Sequence, residues 1–199
     1  MKNKSFQETK WGHILLALAM GVAVAGYIGK TPPAIPSIRL DLSLSLVMAG
    51  WVVSIFSAMG SITGMFAGIF ADRIGRVKVI IYSLGVISLG SFLGGYAETA
   101  EILLISRLIE GAGYIGTMAI LPALIAGLAN DKHRALAVSL WSSVTPLGMA
   151  IMMLGAPIIM QEFGWRYLWL ISGILTISFM AFALITFKTI DSKTSINGQ

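Results

Sequence analysis

Six long apolar stretches divide the chain, and its polar residues collect in the short gaps between them. The stretches run from about Gly12 to Ile35, Ser45 to Ala71, Val79 to Ala97, Ile102 to Leu128, Leu136 to Met160 and Trp165 to Phe187. Each is apolar around its whole circumference, which separates a membrane-spanning helix from an amphipathic surface helix. Each is also close to or above the ~20 residues that a helix needs to cross a bilayer. Nothing alternates over ten residues as the strands of a membrane barrel do. The pattern predicts an all-α membrane protein, a six-transmembrane-helix bundle over residues 12–187, with an N-terminal segment 1–11 and a polar tail 188–199.

Composition narrows this further. The 199 residues are 56% hydrophobic and 12% charged, about half the charged share of a soluble domain. With a mean hydropathy of +0.84, a soluble domain, a disordered chain and a coiled coil are excluded. The absence of cysteine excludes disulfides, cysteine-ligated zinc and a thiol nucleophile. His13 and His133 are isolated and make no metal-ligand spacing, and no cofactor is called for. The basic start followed by an apolar run resembles a signal peptide. That run is long, lacks a small-residue cleavage pattern and is followed by more spans, so it reads as a retained first helix.

The net charge of +5 is explained by topology rather than by nucleic acid. With the N-terminus inside, ten basic residues are internal: Lys2, Lys4, Lys10, Arg73, Arg76, Lys78, Lys132, Arg134, Lys188 and Lys193. Three are external, namely Lys30, Arg39 and Arg166, and Arg107 lies within a span. The positive-inside rule then places both termini in the cytoplasm of a multi-pass plasma (inner) membrane protein.

An internal repeat follows from sliding the chain on itself by 90 positions. Gly21 meets Gly111, Gly26 meets Gly116, Pro32 meets Pro122, Asp41 meets Asp131, Trp51 meets Trp141 and Arg76 meets Arg166. The period holds three spans, and an odd number inverts the second copy. Two inverted three-helix repeats are therefore expected, about 12–97 and 102–187, with a substrate site between them. Gly60, Gly64 and Gly68 recur every four residues on one face, as close helix packing requires.

The most specific motif joins the second and third spans: Gly68-Ile-Phe-Ala-Asp72-Arg73-Ile-Gly75-Arg76-Val-Lys78. Gly75 permits a tight turn, and Asp72 is placed to cap the following helix or to pair with a guanidinium. The fourth span carries Arg107-Leu-Ile-Glu110-Gly111-Ala-Gly113. With Asp131-Lys132-His133-Arg134 before the fifth span and Gly164-Trp165-Arg166 at the sixth, these segments resemble the major facilitator superfamily. The resemblance covers the N-terminal six-helix half of that family's twelve-helix fold. It implies a conformational-gating loop in Gly68, Asp72, Arg73, Gly75, Arg76 and Lys78, and a helix-4 motif in Arg107, Gly111 and Gly113. The fifth span departs from the family's antiporter pattern, reading Thr145-Pro146-Leu147-Gly148 and Gly155-Ala156-Pro157.

Charges within spans mark candidate sites. Arg107 and Glu110 are three apart and so share a helix face. They read either as a mutually neutralising structural pair or as a substrate or proton site. Lys30 reads either as snorkelling to the outer interface or as a second cation at the depth of Arg107, and two cations would suit an organic anion. Tyr27, Trp141 and Ser142 complete the candidate substrate-binding or coupling set, with Trp51, Tyr114, Ser143 and Thr145 as further candidates. Trp165, Tyr167 and Trp169 read as an outer aromatic belt. No G-x-S-x-G nucleophile and no P-loop is present, so neither an enzyme nor an ATP-driven pump is expected. The expected function is secondary transport of a small solute by alternating access, as half of a transporter. The alternative is a truncated, non-transporting module. The expected partners are the bilayer, a small-molecule substrate, and a second six-helix half or a second copy.

Overall fold

The structure, a computed structural model, describes the backbone of residues 8–196 and their side chains apart from 60–68, 70 and 188–196. The surroundings of Gly60, Gly64 and Gly68 lie outside that description, as do the side chains of Lys2, Lys4, Lys188 and Lys193. The elements are α1 (Trp11–Gly29), α2 (Thr31–Asp41), α3 (Leu46–Ile74), α4 (Arg76–Gly95), α5 (Ala100–Leu128), α6 (Asp131–Ser142), α7 (Val144–Phe163) and α8 (Trp165–Ile196). The first stretch is thus two helices meeting at Lys30, and the fifth is two helices meeting at Ser143. Prolines explain why both pieces stay helical. Pro32 and Pro33 sit in the first turn of α2 and Pro146 in that of α7, where the missing N–H would have no partner anyway.

Among the described residues, three helices begin on side-chain caps. Ser45 accepts from the Met48 N–H at 3.1 Å, Thr99 from Ile102 at 3.4 Å and Asn130 from His133 at 3.0 Å. At α4 the arrangement differs from expectation. Asp72 lies inside the last turn of α3, exposed, and the residue flanking α4 is Gly75, with no side-chain cap. Asp72 therefore neither caps α4 nor forms an ion pair among the described residues. Its place in the helix aims it at solvent rather than at the free amides beyond Gly75.

Gly75 makes the whole turn between α3 and α4, at φ +94° and ψ 142°. Gly164 does the same between α7 and α8, at φ +86°. Side chains rarely adopt this backbone region, so Gly75→Ala is expected to cost about 1–3 kcal/mol. A thermal melt in detergent micelles checks this, and an unshifted melt would show that the turn can be rebuilt.

α4 packs on α5 and α8, α1 packs on α7, and α3 packs on α5. Elements 90 residues apart thus exchange partners: α1 takes the second span of the later half, and α5 takes the second span of the earlier one. Two ends can be distinguished. At one, Lys10 N–H donates to the Leu128 carbonyl at 3.1 Å, and Thr9 Oγ1 accepts from the Asn130 N–H and bonds His133 Nδ1. Arg76 reaches the Ala123 carbonyl nearby at 3.4 Å. At the other end Arg166 pairs with Asp41 and donates to the Ala97 carbonyl at 3.0 Å, while Trp165 Nε1 donates to Asp41 at 3.1 Å. Lys10, Arg76, Lys132 and Arg134 gather at the first end, and Arg39 and Arg166 at the second.

Candidate functional site

A charged cluster sits inside the bundle, where its two hydrophobic cores meet. Tyr27 and Phe56 belong to one core, and Val52 and Trp169 to the other. Between them lie Lys30, Arg107 and Glu110, each no more than 1% exposed. Lys30 is brought there by the break between α1 and α2. The three-residue spacing on α5 stacks Arg107 and Glu110 on one face.

Glu110 bridges both cations. Its Oε1 accepts from Lys30 Nζ at 2.6 Å, and its Oε2 pairs with Arg107 Nη1. Lys30 also donates to Ser91 Oγ at 3.0 Å, and Ser91 donates onward to the Trp169 carbonyl at 2.7 Å. The ammonium stands 4.1 Å from the Tyr27 ring centre and 4.5 Å from that of Trp169. Such contacts favour a desolvated cation. Arg107 donates through Nε to the Val52 carbonyl at 3.3 Å and through Nη2 to the Tyr27 carbonyl at 3.5 Å, and its guanidinium covers the Phe56 ring. The Tyr27 hydroxyl is bonded to Thr176 Oγ1 at 2.8 Å.

The desolvation of each ion costs several kcal/mol and is offset only by a well-bonded network. Here the bonds are present, but the charges do not cancel. Two cations share one carboxylate, leaving a formal +1 in an interior closed to solvent.

Lys30 does not snorkel to the interface, because Glu110, Ser91 and two rings hold its ammonium inside. The aromatic belt is also corrected. Trp165 and Trp169 are buried and pack edge to face at 5.5 Å, and only Tyr167, 51% exposed, points outward. Positions 165 and 169 are one turn apart and share the inward face of α8.

Trp141 and Ser142 stand apart from the cluster, at the end of α6. Ser142 is exposed, and Trp141 lies against Gly21, where an added Cβ would come within 2.7 Å of its ring. Gly21 is about 13 Å along α1 from Lys30 by helical rise. Trp51 is 55% exposed, Ser143 is exposed, and Tyr114 and Thr145 are half-buried. Arg73, Arg76 and Lys78 are exposed around Gly75. Gly111 and Gly113 lie on α5 beside the cluster, against α3 and α4. The sequence reading missed Ser91, Thr176, Phe56 and the inward role of Trp169. Ser91 and Thr176 carried a usable signal as hydroxyls inside apolar spans.

The Major Facilitator Superfamily model matches residues 13–198. The chain is 32% identical over 148 residues to Multidrug resistance protein 2 of Bacillus subtilis, covering 74% of this chain and 37% of the relative. A probable 4-methylmuconolactone transporter of Cupriavidus pinatubonensis is 29% identical over 136 residues, 66% of this chain and 32% of the relative. The Lincomycin resistance protein of Streptomyces lincolnensis is 25% identical over 192 residues, 96% and 39% respectively. The chain thus spans less than half the length of these relatives.

Proposed function

The chain belongs to the major facilitator superfamily, and from that premise we propose that it is one half of a secondary transporter for a small organic anion. One observation carries the substrate class: the buried cluster of two cations around a single carboxylate. An anion of one charge would cancel the +1 that the interior now bears, whereas a cation would add to it. Lys30, Arg107 and Glu110 are the groups that meet it, with Tyr27 beside them.

Residues 12–97 and 102–187 are read as inverted repeats, a reading supported by the exchanged packing of α1 on α7 and α5 on α3. The loop around Gly75 is the gating segment, and the basic end faces the cytoplasm of an inner membrane. Exposed apolar residues on α3 and α7, among them Trp51, Leu147, Ile151 and Leu154, offer a face to lipid and to a second six-span half or a second copy.

The test is flux into proteoliposomes, with a panel of labelled monocarboxylates and their neutral amides. Carboxylates are expected to cross faster than amides, and Lys30→Ala and Arg107→Ala should each slow them by roughly tenfold or more, the equivalent of one good charged contact. Carboxylate flux unchanged in both variants would overturn the assignment.

A further inference from the structure

Ser91 meets the cluster from α4. Its Oγ accepts from the Lys30 ammonium at 3.0 Å and gives its own proton to the Trp169 carbonyl of α8 at 2.7 Å. A hydroxyl has one proton and two acceptor positions. With the proton directed at α8, Ser91 faces Lys30 with a lone pair. The side chain is fully buried, so bulk water does not compete for either bond. We propose that Ser91 is the positioning residue of the anion site: it fixes the Lys30 ammonium where a substrate carboxylate meets it and, being neutral, leaves that charge uncancelled. This deepens the anion reading and rests on it.

The other contacts of Lys30 do not perform this task. Glu110 holds the ammonium at 2.6 Å, but a carboxylate offsets the charge that it holds, and this one is shared with Arg107. The Tyr27 and Trp169 rings attract the cation through their faces, and such attraction favours a location more than a direction. A hydrogen bond sets both distance and angle. Ser91 is itself fixed at its far end, because its acceptor is a main-chain atom of α8 and does not turn aside as a side chain would.

Lys30 needs such a fixture. Its charge is a compact point on a flexible four-carbon stem, and that stem springs from the break between α1 and α2. A carboxylate that had to order the stem on arrival would bind more weakly for it. With Ser91 in place, the ammonium is already ordered before the anion comes, and α1, α4 and α8 are joined at one oxygen.

Ser88 supplies an internal comparison. It lies one turn before Ser91 on α4 and is equally buried, yet its Oγ has no hydrogen-bond partner among the described residues. The two serines share residue type, helix and burial. They differ in whether the oxygen meets a cation.

The test is equilibrium binding of labelled benzoate to the 199-residue chain in lipid nanodiscs at fixed pH and salt, with benzamide as the neutral comparison and titrations carried into the millimolar range. Ser91→Ala should weaken benzoate binding about tenfold, the effect of losing one hydrogen bond to a charged group. Ser91→Thr keeps the hydroxyl and should restore most of that loss. Ser88→Ala should bind benzoate as the wild type does. In the Lys30→Met protein, Ser91→Ala should change the affinity by no more than about twofold, because a residue that acts through Lys30 then has nothing to position. Three results would each overturn the positioning role and leave the anion reading standing: wild-type affinity in Ser91→Ala, an equal loss in Ser88→Ala, or an undiminished tenfold loss in the Lys30→Met protein. Benzoate bound no better than benzamide by the wild type overturns the anion reading and this role with it. The Lys30→Met pair decides the question even where the added methyl of Ser91→Thr does not fit.

Discussion

Glu110→Ala is expected to destabilise the bundle by about 3–5 kcal/mol, the cost of leaving a buried charge without its partner. The penalty falls twice here, because one carboxylate serves both Lys30 and Arg107. Lys30→Met is expected to behave in the opposite way. It leaves Arg107 and Glu110 as a balanced pair, keeps an apolar stem between Tyr27 and Trp169, and removes the excess charge. Its stability should match or exceed that of the wild type, as when buried ionic groups are replaced by packed apolar ones. Arg107→Met should fall between the two, since it balances charge but strips donors from the Val52 and Tyr27 carbonyls. Thermal unfolding of the three variants in one detergent orders them. Equal losses for Glu110→Ala and Lys30→Met would mean that charge imbalance does not govern this interior.

The residues differ in how far their roles could be read from the sequence. Six spans were legible because apolar length alone specifies a membrane helix. The breaks at Lys30 and Ser143 were not, because prolines that start a helix look the same as prolines that end one. Arg107 and Glu110 were legible as a pair, since their contact is local to one helix face. Lys30 was not assignable between interface and interior. Its partner is 80 residues away, and only the packing of α4, α5 and α8 around the α1–α2 junction closes it from solvent. Trp169 was misread for a related reason. An aromatic residue near a span end suits the interface, and its inward direction is fixed by α4, whose Gly94 and Ser91 meet it. Asp72 was misread because helix α3 runs two residues beyond it, to Ile74.

Gly113→Ala is expected to disrupt the bundle more than any other single methyl group added to α5 away from the charges. A Cβ at Gly113 would lie 2.6 Å from both the Ile87 nitrogen and the Ser83 oxygen of α4. These are backbone atoms, so no side chain can turn aside and the helices themselves must part. Gly111 meets α3 in the same way, with an added Cβ 2.6 Å from the Phe56 oxygen. Two residues along a helix turn through about 200°, so the two glycines of the motif serve opposite contacts and α5 is gripped from both sides. Parting α4 from α5 also moves Ser91 away from Lys30, and the charged cluster loses a bond along with its packing. Overpacking of this kind costs typically about 1–3 kcal/mol, and here it should reach the upper end. Gly155→Ala on α7 is the matched control. An added Cβ there meets nothing within 4 Å, and alanine's helix preference over glycine of about 0.8–1 kcal/mol should leave the protein as stable as before or more so. Melting both variants side by side separates close packing from glycine content. A Gly113→Ala protein that melts with Gly155→Ala would show that α4 and α5 do not need this approach.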